Sequence, residues 1–130
     1  MRPEVDDIID VICLEDPRYQ EGAYEFVLEA LNFTQKKFRR VKHVTGKELL
    51  EGIKELVMQK FGPMGLSVLT YWGIRTTEDF GNIVFHLVDK KVLNRRDEDS
   101  IKDFQDVYDL ELVFGTVYRS RINKQISRMR

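Results

Sequence analysis

Five stretches of this chain place apolar residues at helical spacing, and almost nothing in it keeps up the period of two that a half-buried strand shows. Val5, Ile8, Ile9 and Ile12 share one face of a first helix, predicted over residues 3–14. Tyr19, Ala23, Phe26, Val27, Ala30 and Leu31 stripe a second, predicted over 18–39. Leu49, Leu50, Ile53, Leu56 and Val57 mark a third; Met64, Leu66, Val68, Leu69 and Trp72 a fourth; Phe80, Ile83, Val84, Leu87 and Val88 a fifth. With 130 residues, 42% of them hydrophobic, the chain has enough apolar surface for one core without disulfide or metal staples. The expected fold is therefore mainly α: a single compact domain of about five to six helices over residues 1–114, with a basic C-terminal extension over 115–130.

The breaks between stripes are chemically specific. Asp16-Pro17 stops the first helix, because a residue before proline avoids the helical region. Thr45-Gly-Lys-Glu48 has the spacing of a capping box, in which the threonine hydroxyl and the glutamate each satisfy a free backbone N–H. Gly62-Pro63 ends the third helix. Gly73 stands where a left-handed C-terminal residue is expected, with Ile74 folding back as its hydrophobic contact, and Thr76 or Thr77 caps the fifth helix. The fourth and fifth helices thus have a helix-turn-helix-like outline in the middle of the chain.

Beyond Leu93 the pattern weakens. Residues 94–106, NRRDEDSIKDFQD, read as an exposed loop with one helical turn. Residues 108–114 fit two templates. Tyr108, Leu110, Leu112 and Phe114 alternate as in one arm of a short β-hairpin; Leu110, Val113, Phe114, Val117, Tyr118 and Ile122 match an extra helix capped by Asp109, and this template matches more positions.

Net charge is −1, but the charges are segregated. Residues 1–29 carry nine acids against two bases, and 36–60 carry eight bases against three acids. Residues 97–111 carry seven acids and one lysine, and 112–130 carry five bases and no acid. Blocks of alternating sign compensate one another within a fold or serve as interaction surfaces. The acidic N-terminus lacks the basic start of a signal peptide, no apolar run approaches a membrane span, and one cysteine fits a reducing compartment. A cytoplasmic protein with no membrane association is expected.

No catalytic constellation emerges. The two histidines, His43 and His86, fall in different elements, and Cys13 alone cannot complete a zinc set. Asp97-Glu98-Asp99 lacks the spacing of a calcium loop, and Gly62-Pro63-Met64-Gly65 lacks the lysine of a phosphate loop. Cys13 sits in an apolar run without a base beside it. The expectation is no enzyme, no cofactor, no metal, and no small-molecule ligand.

Does the helix-turn-helix outline read DNA? A reading helix needs donors for base edges and positive charge near phosphate. The fifth helix instead begins Thr76, Thr77, Glu78, Asp79, and its acids repel phosphate. On the face away from its stripe lie Asn82, Phe85, His86 and Asp89, a candidate protein-contact surface. Tyr24 and Tyr71, also off the main stripes, point the same way, whereas the boundary position of His86 suits a structural histidine. The bases that could grip nucleic acid or an acidic partner lie elsewhere, at Lys36, Lys37, Arg39, Arg40 and Lys42 and at Arg119, Arg121, Lys124, Arg128 and Arg130.

HVTGKELLEGI, QKFGPM, YWGIRTTEDFGNIVFHLV and DEDSIKDF, in this order and spacing, resemble a conserved hypothetical family of planctomycetes, verrucomicrobia and related groups. The resemblance runs from about Asp16 to Phe114. It implies one cytoplasmic domain and carries over no catalytic or binding residue, because the family has no assigned activity. The expected function is a non-enzymatic domain acting through contacts with a protein partner or a second copy of itself. The alternative is a winged-helix-like regulator binding nucleic acid through segments 36–42 and 119–130.

Overall fold

Each of the five stripes forms a helix: α1 (Pro3–Glu15), α2 (Glu21–Lys37), α3 (Gly46–Phe61), α4 (Gly65–Tyr71) and α5 (Thr77–Asp89). The structure, a computed structural model, describes residues 3–39, 44–93 and 101–116. A 3-10 turn over Gly62–Met64 links α3 to α4, a second spans Ile101–Phe104, and a wide π-type turn covers Glu111–Thr116. Among the described residues there is no strand. Of the two templates for 108–114 the described residues take the helical one, as a single turn capped as expected: Asp109 Oδ1 accepts from the Leu112 N–H at 3.1 Å, while the template's positions Val117, Tyr118 and Ile122 lie outside the described residues. The turn continues to Thr116, past the anticipated boundary at 114.

The helix boundaries follow local chemistry. Thr45 Oγ1 accepts from the Glu48 N–H at 3.1 Å while Glu48 Oε1 accepts from the Thr45 N–H at 2.9 Å, completing the capping box. At the end of α4, the Ile74 N–H reaches the Leu69 carbonyl (2.9 Å) and the Gly73 N–H reaches that of Thr70 (3.0 Å), with Gly73 at φ +91°. Those two bonds make a Schellman cap, and Ile74 is fully buried as its hydrophobic plug. The second helix starts later than its apolar stripe suggests, at Glu21 instead of 18. The Asp16 carboxylate accepts both the Arg18 N–H (3.2 Å) and its guanidinium (2.8 Å), which holds 16–20 as a turn.

α2 and α3 form the central pair. They run antiparallel, since Lys37 pairs with Glu55 at 2.5 Å and Glu29 with Lys60 at 2.6 Å. Val27, Ala30, Leu50, Ile53 and Val57 fill the space between them, and α5 adds Phe80, Ile83 and Leu87. Each large side chain buried in this way contributes about 1.5–3 kcal/mol. The exposed ion pairs are worth about 0–1 kcal/mol each, so they align the helices more than they hold them.

One expectation for the fold needs correcting at a single residue. Residues 94–100 lie outside the described residues; the helical turn expected within 94–106 forms at Ile101–Phe104, and Lys102, Gln105 and Asp106 are exposed, but Phe104 is buried to 3% exposure. Its ring lies against Gly46 of α3 and Gly81 of α5, where a Cβ would come within 3.0 and 2.9 Å of it. Thr77 Oγ1 ties the same turn down by donating to the Phe104 carbonyl at 2.6 Å. Among the described residues, no helix is long and apolar enough to cross a membrane.

Candidate functional site

Two turns, 16–20 between α1 and α2 and 72–76 between α4 and α5, are welded to each other. The Gln20 N–H donates to the Trp72 carbonyl at 3.1 Å. Gly73 packs so closely on the Arg18 carbonyl that no Cβ fits between them. The Trp72 indole lies over Gly22, and Phe26 and Phe61 stack beside it with ring centroids 5.4 and 5.7 Å away. These contacts hold the indole in place.

Beside the weld is an open cleft of about 410 Å³, lined by Cys13, Pro17, Tyr19, Gln20, Glu21, Gly22, Tyr71 and Trp72. Tyr71 stands on its rim, 74% exposed, and is among the most exposed large apolar side chains of the described residues. The acidic side of the cleft is Glu21. A hydrogen bond that the protonated Glu21 carboxyl donates to Asp10, then the charge of Asp10, with smaller contributions from burial and the charges of Glu25 and Asp6, holds Glu21 above the usual carboxylate range. The residues α1 and α2 bring together here are thus acid on acid.

Cys13 is half-buried, and its Sγ lies 3.7 Å from the Tyr19 carbonyl, which it faces as a weak donor. Burial, and then the Glu21 and Asp10 carboxylates, push its pKa up, so it remains a thiol and a poor nucleophile.

Behind the cleft a polar network locks its floor. The Tyr19 hydroxyl donates to Asp79 Oδ1 at 2.5 Å and accepts from Asn82 Nδ2 at 3.0 Å. Burial, followed by the Asp79 bond, pushes the Tyr19 phenol up to about 12. Asp79 Oδ2 accepts the N–H groups of Arg75 (2.8 Å) and Thr76 (3.1 Å), so one carboxylate caps α5 and anchors turn 16–20. Tyr24, fully buried, hydrogen-bonds through its hydroxyl to His86 Nδ1 at 2.8 Å, and His86 Nε2 lies 3.4 Å from Asp16 Oδ2. That arrangement fits a neutral imidazole, with Tyr24 donating to Nδ1 and the ring proton on Nε2. Burial is the main cause lowering the His86 pKa, outweighing the nearby Asp16. Asp16 itself is held below the usual carboxylate range, chiefly by its Arg18 hydrogen bond.

The residues expected to form one contact face of α5 separate in the structure. Asn82 and His86 are half-buried and turn toward α2, where they serve the network. Phe85 is half-buried and Asp89 exposed. Tyr24 is not a surface aromatic, because α5 packs over that side of α2; Tyr71 is one. Of the middle bases, Lys36 and Arg39 are exposed and Lys37 pairs with Glu55. Arg40 and Lys42 lie outside the described residues, as do Arg119, Arg121, Lys124, Arg128 and Arg130. Pro17, Gly22 and the Asp10–Glu21 contact escaped sequence reasoning; the signal available was only the unbroken acid run of α1 and the aromatic pair Tyr71-Trp72.

Among the described residues no three His, Cys, Asp or Glu side chains converge as metal ligands would. No family model, curated protein or solved structure matches the chain.

Proposed function

We propose that this chain is a cytoplasmic protein-contact domain whose cleft receives a cationic segment of a protein partner. The observation that carries the reading is the placement of an aromatic wall, Tyr71 and Trp72, and the Glu21 carboxylate in one cleft. An arginine suits both halves: its planar guanidinium stacks on aromatic faces and takes a carboxylate in bidentate fashion. A lysine supplies the charge alone. The acids also weigh against nucleic acid at this face, since phosphate would meet Glu21, Asp10 and Glu25. The middle basic block gives that alternative little more, with Lys37 and Lys60 engaged by Glu55 and Glu29. Chemistry has a smaller part here than docking: the Cys13 thiol faces a carbonyl, and His86 is occupied by Tyr24 and Asp16.

The one tryptophan of the chain lines the cleft, so its emission reports occupancy. The full chain is titrated with a short arginine–isoleucine peptide and with its glutamate–isoleucine counterpart. Saturable change of Trp72 emission with the first only, weakened tenfold or more by Glu21→Lys or Tyr71→Ala, is the expected result. Equal response to both peptides, or tighter binding of a generic DNA duplex at the same site, overturns it.

A further inference from the structure

We propose that His86 is a pH sensor for turn 16–20: a second proton on its ring ends its bond from Tyr24, draws Asp16 away from Arg18, and loosens the turn from Trp72. The device works the same way whatever the cleft receives.

The imidazole is held between two groups with opposite demands. On one side the Tyr24 hydroxyl donates to Nδ1 at 2.8 Å. On the other, Nε2 lies 3.4 Å from Asp16 Oδ2, about half an ångström longer than a charge-assisted bond of this kind. A neutral ring, with one acceptor and one donor, satisfies both. A protonated ring has two donors and no acceptor. Its Nδ1–H then points at a hydroxyl that must accept and turn its own proton elsewhere. Tyr24 is fully buried, and His86 is the one hydrogen-bond partner of its hydroxyl among the described residues. Nε2–H meanwhile carries a full charge and pulls toward Asp16.

Asp16 can answer that pull only by giving up contacts elsewhere. The Oδ2 atom that faces His86 already accepts Arg18 Nε at 3.1 Å and Nη2 at 2.8 Å. Oδ1 accepts Nε at 3.0 Å and the Arg18 backbone N–H at 3.2 Å. One oxygen therefore serves a permanent cation and a titratable one. Arg18 is also the residue through which the turn meets α4: Gly73 packs on its carbonyl, and two residues further on the Gln20 N–H donates to the Trp72 carbonyl at 3.1 Å. A change in how Asp16 holds Arg18 thus reaches Trp72 through backbone contacts.

The remaining groups around the ring set where it titrates. Within turn 16–20, Asp16 favours a charged ring and Arg18 opposes it; on α5, Asp89 favours it, and Lys90 pairs with Glu15 of α1. The Tyr19 ring lies 6.3 Å from the imidazole, with its hydroxyl engaged by Asp79, and α1 adds the neutral Cys13 thiol near the Tyr24 phenol. Burial outweighs both acids, so the ring is neutral at pH 7 and charges on the acid side of about 6.5. Asp16, held below the usual carboxylate range by Arg18, keeps its charge as His86 gains one.

The test follows two signals on the full chain from pH 8 to pH 4.5. One is the ring-proton resonance of His86, told from that of His43, the only other histidine, by comparison with His86→Gln. The other is the emission of Trp72, the only tryptophan. Emission is expected to shift to the red in one step, at the midpoint of the His86 titration, with the far-ultraviolet circular dichroism unchanged. The step should be absent in His86→Gln. Arg18→Gln should move both midpoints up and Asp16→Asn should move both down, by about one pH unit each. If His86→Gln does not fold, those opposite shifts decide alone. A titrating His86 with no step in emission overturns the proposal, as does a step that survives in His86→Gln. Midpoints that move the same way in the two turn variants, a His86 that does not titrate in this range, or loss of helix along with the step overturn it equally.

Discussion

Replacing Gly73 with alanine tests the weld on which the cleft depends. The backbone there sits at φ +91°, outside the range a side chain tolerates easily, and left-handed backbone costs an L-residue about 1–2 kcal/mol. The new methyl also collides with the Arg18 carbonyl, which is backbone and cannot swing aside as a side-chain tip would. Inserting a methyl into a filled space typically adds about 1–3 kcal/mol. Together these effects predict a loss of roughly 3 kcal/mol. For 130 residues the entropy of unfolding near the midpoint is about 0.27 kcal/mol per kelvin, so the midpoint should fall by about 11 °C. The relief available to the chain is to move turn 16–20 away from turn 72–76. That movement breaks the Gln20–Trp72 bond and releases the indole from Gly22. Thermal melting followed by circular dichroism, with Trp72 emission recorded at 20 °C, reads both effects. The midpoint should drop and the emission should shift to the red in the still-folded protein. A midpoint within 2 °C of the natural chain, or a lowered midpoint with unchanged emission, would refute the claim that these turns are welded at this glycine.

Four other outcomes are expected. Phe104→Ala should cost about 3–5 kcal/mol in urea unfolding, because it empties the space bounded by Gly46 and Gly81; less than 1 kcal/mol would place the ring outside the core. Tyr24→Phe should cost about 1–2 kcal/mol, since it leaves the His86 ring nitrogen without its buried donor, and that loss should shrink in a His86→Gln background. Because the folded protein lowers the His86 pKa, its contribution is whole above about pH 6.5 and is lost as pH falls through the folded value. The stability difference between the natural chain and His86→Gln should therefore narrow from pH 8 to pH 5, and a difference that widens would reverse the sign of the argument. Asp10→Asn should raise the melting midpoint while weakening the arginine–isoleucine peptide, and added salt should reduce both effects.

What could be read in the sequence was whatever carries its own mechanism over a few residues. The third helix starts where Thr45 and Glu48 said it would, because a capping box is complete within four positions. Gly73 and Ile74 close α4 as expected, since a Schellman cap needs only a left-handed residue and an apolar plug. Phe104 was invisible for the opposite reason. Its neighbours Asp103 and Gln105 are polar, and the notch that accepts it is made by two glycines on helices far away in the chain. Tyr24 looked like a surface aromatic because its helix was read against one partner, whereas α2 is covered on a second side by α5. The cleft shares that difficulty. Cys13, Pro17, Glu21 and Trp72 come from both turns and two helices, and no spacing along the chain announces that they meet.

The segregated charges now divide into two kinds. Where α2 meets α3, opposite blocks face each other and Lys37, Glu55, Glu29 and Lys60 pair across the seam. Lys90 likewise reaches Glu15 at 2.9 Å from the end of α5. Where α1 meets α2 the sign does not alternate: Asp10 above all, then Glu25 and Asp6, hold the Glu21 carboxyl above the usual carboxylate range. Folding stability is a small difference between large terms, so a like-charge contact is a real cost even at a solvated surface. The proposed docking gives this charge a use beside the Tyr71–Trp72 wall. Behind it, the part-buried hydrogen bond from Tyr19 to Asp79 ties turn 16–20 to the start of α5. The proposed docking is therefore a selection by charge, and the affinity for the arginine–isoleucine peptide should fall with ionic strength.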